Sequence, residues 1–161
     1  AWAMAEQGLY TPGRGPHGKL NLSYNRLQEL YYRNFQHFEN LQKLSFQNNN
    51  ISSIEMGAFR SLTRLRQLHL QNNHLLNLHN GVFSMLQHLE FLNLEGNRIK
   101  TIAPGVFTSL NSLTVLNLVH NEIEHIRFKT FLTIQTPGTH ILDSLSLMGF
   151  CVVSSLRLSS R

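Results

Sequence analysis

The chain has 161 residues, 14 Lys and Arg against 9 Asp and Glu, and a formal net charge of +5. This length suits about one domain and excludes a large multidomain enzyme. The charged fraction of 14% is well below the roughly 25% that is usual for soluble proteins. Asparagine is abundant instead, in clusters such as Asn48-Asn49-Asn50. The single cysteine, Cys151, excludes an internal disulfide and a cysteine-based zinc site.

Residues 1–16 are predicted to form a non-repeat N-terminal arm. Two prolines and two glycines between positions 12 and 16 are typical of a loop. The segment has no basic stretch followed by an apolar run, so the signature of a signal peptide is missing. No later stretch is apolar enough to predict a transmembrane helix.

Residues 17–136 repeat with a period of 24. Units that begin at positions 41, 65, 89 and 113 share eight fixed positions, and the first unit, from His17, lacks only its opening leucine. In the unit that begins at position 65, these positions hold Leu65, Leu68, Leu70, Asn73, Leu75, Leu78, Phe83 and Leu86. A period of this size indicates stacked solenoid units. The sequence therefore predicts five repeats.

Within each repeat, the fixed positions predict a short strand, a turn and a convex segment. Leucines that alternate with polar residues lie on one face of a short strand, and stacking makes these strands neighbours in a parallel sheet. The phenylalanine column is predicted to close the convex side of the core. The recurring asparagine follows the strand, where its amide can satisfy backbone groups that the turn leaves unpaired. This predicted internal ladder consists of Asn25, Asn49, Asn73, Asn97 and Asn121.

Residues 137–161 are predicted to be a degenerate final repeat or a non-repeat C-terminal tail. The register is lost at Pro137, and a slipped unit that begins at Leu142 has Phe150 where the turn asparagine is expected. Because the last repeat of a solenoid would otherwise expose its core, we expect this segment to cover it.

The columns resemble the leucine-rich repeat, LxxLxLxxNxLxxLxxxxFxxLxx, in its typical 24-residue subclass. This resemblance implies an α/β solenoid, a horseshoe with a concave parallel β-sheet and irregular or 3-10 convex segments. It also implies an extracellular or cell-surface ectodomain of a receptor, adhesion or matrix protein, with roles in signal transduction. Such proteins usually carry cysteine-rich caps. The lone cysteine therefore makes a fragment as plausible as an uncapped domain, with membrane attachment only through segments absent from this chain.

The side chains that alternate with the strand leucines face away from the core, where repeat proteins present extended binding surfaces. Polar and basic residues occupy the first three strands, and an exposed Phe91 is expected beside valines in the last two. Aromatic anchors are enriched at binding hot spots. In the alternative, scattered exposed apolar residues are ordinary and the C-terminal segment folds over them. The predicted partner-binding residues are Lys19, Lys43, Gln67, His69, Phe91, Asn93, Val115 and Asn117.

The sequence predicts binding rather than catalysis. None of the nine histidines has metal-site spacing, and no nucleophile, metalloprotease or phosphate-loop motif is present, so we expect no enzyme activity, no metal and no cofactor. Basic residues lie in every unit without a run of five or interleaved aromatics, which does not favour nucleic acid. A protein ligand or receptor is the expected partner.

Two alternatives stay open. The first is a polyanion-binding or nucleic-acid-sensing ectodomain that recognises an acidic glycan or a nucleic acid through Lys19, Lys43 and Arg66. The second is a structural fragment without a partner of its own.

Two N-x-S sequons predict glycosylation sites, at Asn50 and at Asn21. Asn50 follows a ladder asparagine in a turn and could carry a glycan. Asn21 lies in a concave strand, where a glycan would block the binding surface.

Overall fold

A computed structural model of the chain describes residues 18–124, 126, 130 and 131. The predicted arm at 1–16 and the predicted tail at 137–161, with Cys151, lie outside these residues. The described part is the parallel-strand solenoid that the repeat pattern predicts. Its elements in chain order are β1 (Gly18–Asn21), β2 (Glu29–Leu30), α1 (Tyr32–Phe35), β3 (Leu41–Ser45), β4 (Ser53–Ile54), β5 (Gln67–His69), β6 (Asn77–Leu78), β7 (Phe91–Asn93), β8 (Thr101–Ile102) and β9 (Val115–Asn117).

One strand from each repeat joins a five-stranded parallel sheet in the order β1-β3-β5-β7-β9. Neighbouring strands pair with a shift of one repeat, so that Leu44 lies opposite Leu68 and Leu68 opposite Leu92. These three leucines are fully buried, whereas the residues on either side of them face away from the core. The period-2 alternation in the sequence therefore predicted both the strands and the buried side of the sheet.

The convex side has little regular structure. Among the described residues it contains the four-residue helix α1 and two short parallel pairs, β2 with β4 and β6 with β8. A tight turn with an i to i−3 hydrogen bond recurs at the phenylalanines, where Leu62 N–H donates to the Phe59 carbonyl at 2.9 Å. Such bonds are typical of short 3-10 turns, in agreement with the expected irregular or 3-10 segments.

The phenylalanine column forms a continuous stack inside the convex side. Phe59, Phe83 and Phe107 are fully buried, and the Phe83 ring lies 6.4 Å from Phe59 and 6.3 Å from Phe107, nearly parallel to both. Phe131 extends the stack at 5.8 Å from Phe107. Because each ring contacts the ring of the next repeat, the column joins the repeats together as well as filling the core.

The asparagine ladder joins neighbouring repeats through the backbone. The Asn73 Oδ1 atom accepts a hydrogen bond from Ile51 N–H of the preceding repeat at 3.0 Å. Its Nδ2 atom donates to the Phe46 carbonyl of that repeat and to the Leu70 carbonyl of its own, each at 3.0 Å. Asn49, Asn97 and Asn121 make the same set of bonds.

Asn25 differs from the other four ladder residues. It is exposed and donates only to the carbonyls of Leu22 and Ser23, within its own repeat. The preceding repeat position lies outside the described residues, so this asparagine bridges no pair of described repeats.

A second column, formed by the residue directly before each ladder asparagine, accounts for the pairs Asn48-Asn49 and Asn72-Asn73. The residue before each ladder asparagine has a left-handed backbone, with φ between 56° and 65°. These residues are Tyr24, Asn48, Asn72, Gly96 and His120. Asparagine and glycine adopt this conformation most readily. A Cβ atom at Gly96 would also overlap the Asn72 Oδ1 atom, so the Asn72 carboxamide would have to move aside.

Candidate binding surface on the concave face

The strand register arranges the outward side chains in three rows that run across the strands. The first row contains Lys19, Lys43, Gln67, Phe91 and Val115. The second contains Asn21, Ser45, His69, Asn93 and Asn117. Just beyond the strands, the third contains Ser23, Gln47, Gln71, Glu95 and Val119. All eight predicted partner-binding residues fall in the first two rows, so the structure brings them together on one surface.

The cationic end of the first row consists of Lys19 and Lys43, which lie opposite each other on β1 and β3. Lys19 is exposed and Lys43 half-buried, and neither forms an ion pair with any acid in the described part of the chain. Arg66 instead pairs with Glu90, at 2.5 Å between Nη1 and Oε1. The expected three-residue basic group is therefore reduced to two uncompensated lysines.

The apolar end of the first row is formed by Phe91 and Val115, both half-buried. Phe91 is less exposed than the sequence suggested, because its ring packs on the His69 ring with centroids 4.9 Å apart and planes 32° from parallel. This contact crosses from the first row to the second on adjacent strands. Phe91 and His69 thus form one aromatic patch rather than two separate surface residues.

His69 lies between the basic and apolar ends of the surface. Its Nε2 atom is 3.4 Å from the Gln67 Oε1 atom. Burial lowers the pKa of His69 below its ordinary value of 6.5, and the positive charge of Lys43 lowers it further. The imidazole is therefore predominantly neutral at pH 7 and adds no third charge to the two lysines.

Asn93 and Asn117 have internal roles as well as a place on the surface. Each uses its Oδ1 atom to accept a 3.0 Å hydrogen bond from the backbone N–H two residues later, at Glu95 and Val119. Asn21 makes the same contact with Ser23. The Asn117 Nδ2 atom also donates to the Glu95 carboxylate at 3.0 Å. These hydrogen bonds hold the ends of the strands. The side chains that are available to contact a ligand therefore lie mainly in the first row.

The third row was not among the predicted site residues, although the same alternation in the sequence points to it. Gln71 Nε2 donates to Gln47 Oε1 at 2.7 Å. The Gln71 Oε1 and Ser23 Oγ atoms are buried and have no hydrogen-bond partner within the described residues. Because both atoms are buried, this unused hydrogen-bonding capacity lies beneath the accessible surface.

The two sequons lie in different environments. Asn50 is exposed in the turn after Asn49, away from the sheet. Asn21 is exposed in β1, with its Oδ1 atom occupied by Ser23 N–H. Glycosylation at either asparagine stays a prediction.

The same described ranges were also searched for metal sites and for membrane-spanning helices. They contain no group of three or more His, Cys, Asp or Glu residues that could hold a metal ion. No helix in them is both long and apolar enough to cross a membrane.

Two of the solved structures that match this chain do so over the repeat array. The crystal structure of the TLR13–ssRNA13 complex matches with a TM-score of 0.70 and 29% sequence identity, over 73% of this chain and 17% of that chain. The structure of the Toll–Spatzle complex, from Drosophila, matches with a TM-score of 0.66 and 31% identity, over 74% of this chain and 16% of that chain. The chain therefore spans only about one sixth of the length of these relatives.

A search of curated proteins gave no match. The family model described as leucine rich repeat matches residues 18–75 and 63–123, which together cover the five-stranded sheet. This match, the 24-residue columns and the parallel solenoid agree, and the chain belongs to the leucine-rich repeat family.

Proposed function

We propose that this chain is a non-catalytic recognition module whose concave face binds a protein partner. The observation that carries the proposal is the in-register first row, which places two uncompensated lysines and an apolar patch on one accessible surface. The relatives support binding as the general role, since one of them is Toll in its complex with Spatzle.

The apolar end of the surface favours a protein over other ligands. Phe91 and Val115 stay partly accessible although the core of each repeat is complete without them. Aromatic side chains in the centre of a surface are frequent hot spots of protein interfaces. Five strands about 4.8 Å apart give a surface on the order of 20 Å long, enough for one segment of a partner protein.

The position of the module in a larger protein is also part of the proposal. The relatives in the Toll-like group suggest an ectodomain in the extracellular space or an endosomal lumen, within a receptor, adhesion or matrix protein. In that setting Asn50 would carry a glycan, because its exposed position leaves the concave face open. A glycan on Asn21 would cover Lys19 and Lys43.

Nucleic acid is the second candidate ligand, and the TLR13–ssRNA13 complex is the observation that favours it. Lys19 and Lys43 would then contact phosphates. With two phosphate contacts, the logarithm of the affinity for single-stranded RNA should fall with the logarithm of salt concentration at a slope of about −1.4. Binding of a protein through Phe91 and Val115 should depend much less on salt.

The proposal is tested by immobilising the chain and identifying secreted and membrane proteins that it retains, in parallel with Phe91→Ala and with Met56→Ala as a matched control. Met56 is exposed on a turn outside the sheet. We expect specific proteins to be lost with Phe91→Ala and kept with Met56→Ala. If Phe91→Ala and Lys43→Glu both leave the retained proteins unchanged, the concave face is not the binding surface.

A further inference from the structure

The first row of the concave face changes character along its length. Lys19 and Lys43 occupy β1 and β3, Gln67 occupies β5, and Phe91 and Val115 occupy β7 and β9. The register is the same for each pair of strands from Lys19 to Val115, so the five side chains follow one line. A ligand that lies along this line meets positive charge first, then a neutral polar residue and then apolar surface.

The positive end has no internal partner in the described residues. The three ion pairs found there use Glu90 and Glu122, and both acids lie outside the first row. Glu95 is the acid of the concave rows, and its carboxylate accepts a hydrogen bond from Asn117. Lys19 and Lys43 therefore repel each other without compensation, and a negatively charged group between them would relieve this repulsion.

The apolar end of the first row combines an aromatic ring contact with a neighbouring valine. The His69 ring supports Phe91 from the neighbouring strand, which leaves a half-buried aromatic surface next to Val115. A neutral His69 adds apolar area there, whereas a protonated ring would place a third positive charge beside Lys43. The apolar end is therefore suited to an aliphatic or aromatic side chain.

The distance between the basic and apolar ends sets the spacing of the two ligand side chains that would contact them. Lys43 and Phe91 lie two strands apart, which corresponds to about 9.6 Å because parallel strands are about 4.8 Å apart. A peptide in the polyproline II conformation advances about 3.1 Å per residue with three residues per turn, so side chains three positions apart lie on one face, about 9.3 Å from each other. An acidic residue and an apolar residue three positions apart would contact both ends at once.

Building on the proposed function, we propose that the concave face binds an extended acidic segment of a partner protein, with a carboxylate on Lys43 and an apolar side chain three residues away on Phe91. A second acidic residue next to the first adds to the attraction of the segment toward Lys19 and Lys43. Gln67 faces the two intervening residues.

The proposal is tested by fluorescence anisotropy with dye-labelled peptides and the full chain. The probe contains Glu-Glu-Ser-Ser-Phe between glycines and is made in both sequence directions, since the row fixes the spacing but not the polarity. Three controls replace both Glu by Gln, replace Phe by Ala, or place Glu next to Phe. We expect each control to bind at least about tenfold more weakly than the better probe, because it loses one of the two ends.

Variants of the chain separate specific recognition from general attraction. Lys43→Glu and Phe91→Ala should each weaken the probe at least about tenfold. Arg64→Glu changes the net charge by the same amount outside the sheet, and Met56→Ala removes a comparable exposed apolar group, so both should bind the probe as the parent does. A probe with Lys in place of Glu should recover binding to Lys43→Glu. Unchanged thermal midpoints show that the variants are folded.

Equal binding of the probe and its controls, or an equal effect of Lys43→Glu and Arg64→Glu, would overturn the acidic-segment proposal. Binding of the probe that does not need Phe would point to a polyanion site instead. If no peptide binds while Phe91→Ala still abolishes retention of a protein, the ligand class is wrong and the proposed function stands. If Phe91→Ala has no effect in either assay, both proposals fail.

Discussion

At the residue scale, one side-chain amide completes the hydrogen bonding of three buried backbone groups from two repeats. Asn73 is 3% exposed and contacts Ile51, Phe46 and Leu70, all of which are fully buried. Buried backbone groups without partners cost about 1–3 kcal/mol each. The asparagine column is therefore required because a leucine-rich core would otherwise leave these groups unpaired.

Replacement of Asn73 by Ala should lower the free energy of unfolding by about 2–4 kcal/mol, because the buried Ile51 N–H loses its partner. The Phe46 and Leu70 carbonyls lose one donor each but keep the Nδ2 atoms of Asn49 and Asn97. Asn25→Ala is the matched control. Asn25 is exposed and makes only local bonds, so we expect a loss of about 1 kcal/mol or less. Urea denaturation of both variants at one temperature measures the difference. Equal losses would show that the ladder does not stabilise the fold through its buried bonds.

His69 gives a prediction of pH dependence. Burial is the larger reason for its lowered pKa and Lys43 the smaller one, so Lys43→Gln should raise the pKa of His69 but leave it below 6.5. The titration of the His69 ring can be followed by NMR through its Cε1–H signal. A pKa at or above 6.5 in the parent chain would contradict the burial of the ring against Phe91.

The sign of the effect on stability follows from the same lowered pKa. The folded chain favours neutral His69, so this stabilisation is complete above the unfolded pKa near 6.5 and is lost as pH falls below that value to the folded pKa. His69→Gln should remove this part of the pH dependence. Denaturation midpoints of the parent and the variant between pH 7 and pH 5 provide the comparison.

Some residues could be assigned from the sequence and others could not. The ladder asparagines were predictable because the same side chain recurs every 24 residues. The left-handed column was not, since Tyr24, Gly96 and His120 share a backbone conformation and no side-chain chemistry. The contact of His69 with Phe91 also escaped prediction, because it depends on how two rings orient across neighbouring strands.

At the scale of the elements, the alternation of leucines with polar residues and their recurrence every 24 residues predicted the five strands and the buried face of the sheet. This worked because each strand has a leucine that must be buried. The short pairs β2 with β4 and β6 with β8 were not predicted. Their two residues each are too few for a periodic signal, and they form where stacking brings the convex segments into line. Tertiary packing rather than local propensity decides these elements.

The phenylalanine stack is the main apolar contact between convex segments. Phe83→Ala should lower the free energy of unfolding by about 3–5 kcal/mol, because it opens a cavity between the rings of Phe59 and Phe107. Phe83→Leu keeps part of the volume and should cost clearly less. Denaturation of the two variants tests this order. A loss as large for Leu as for Ala would show that ring stacking, rather than cavity volume, dominates.

At the scale of the molecule, stability should be a sum of contributions from neighbouring repeats. Each repeat contacts the next through the sheet, the asparagine ladder and the phenylalanine stack. The same stacking generates the concave face, because it places the first-row side chains of five repeats in one line. A change in a central repeat should therefore disturb both of its neighbours, whereas a change in the first described repeat should disturb one.

This difference can be measured by native-state hydrogen exchange. Leu68 is fully buried in the central strand β5, and Leu68→Ala should cost about 2–5 kcal/mol and lower amide protection in β3, β5 and β7 together. Leu20 is half-buried in β1, so Leu20→Ala should cost less and affect β1 and β3 while β7 and β9 keep their protection. An equal loss of protection in all five strands for both variants would show that the array unfolds as one unit, and that coupling extends well beyond adjacent repeats.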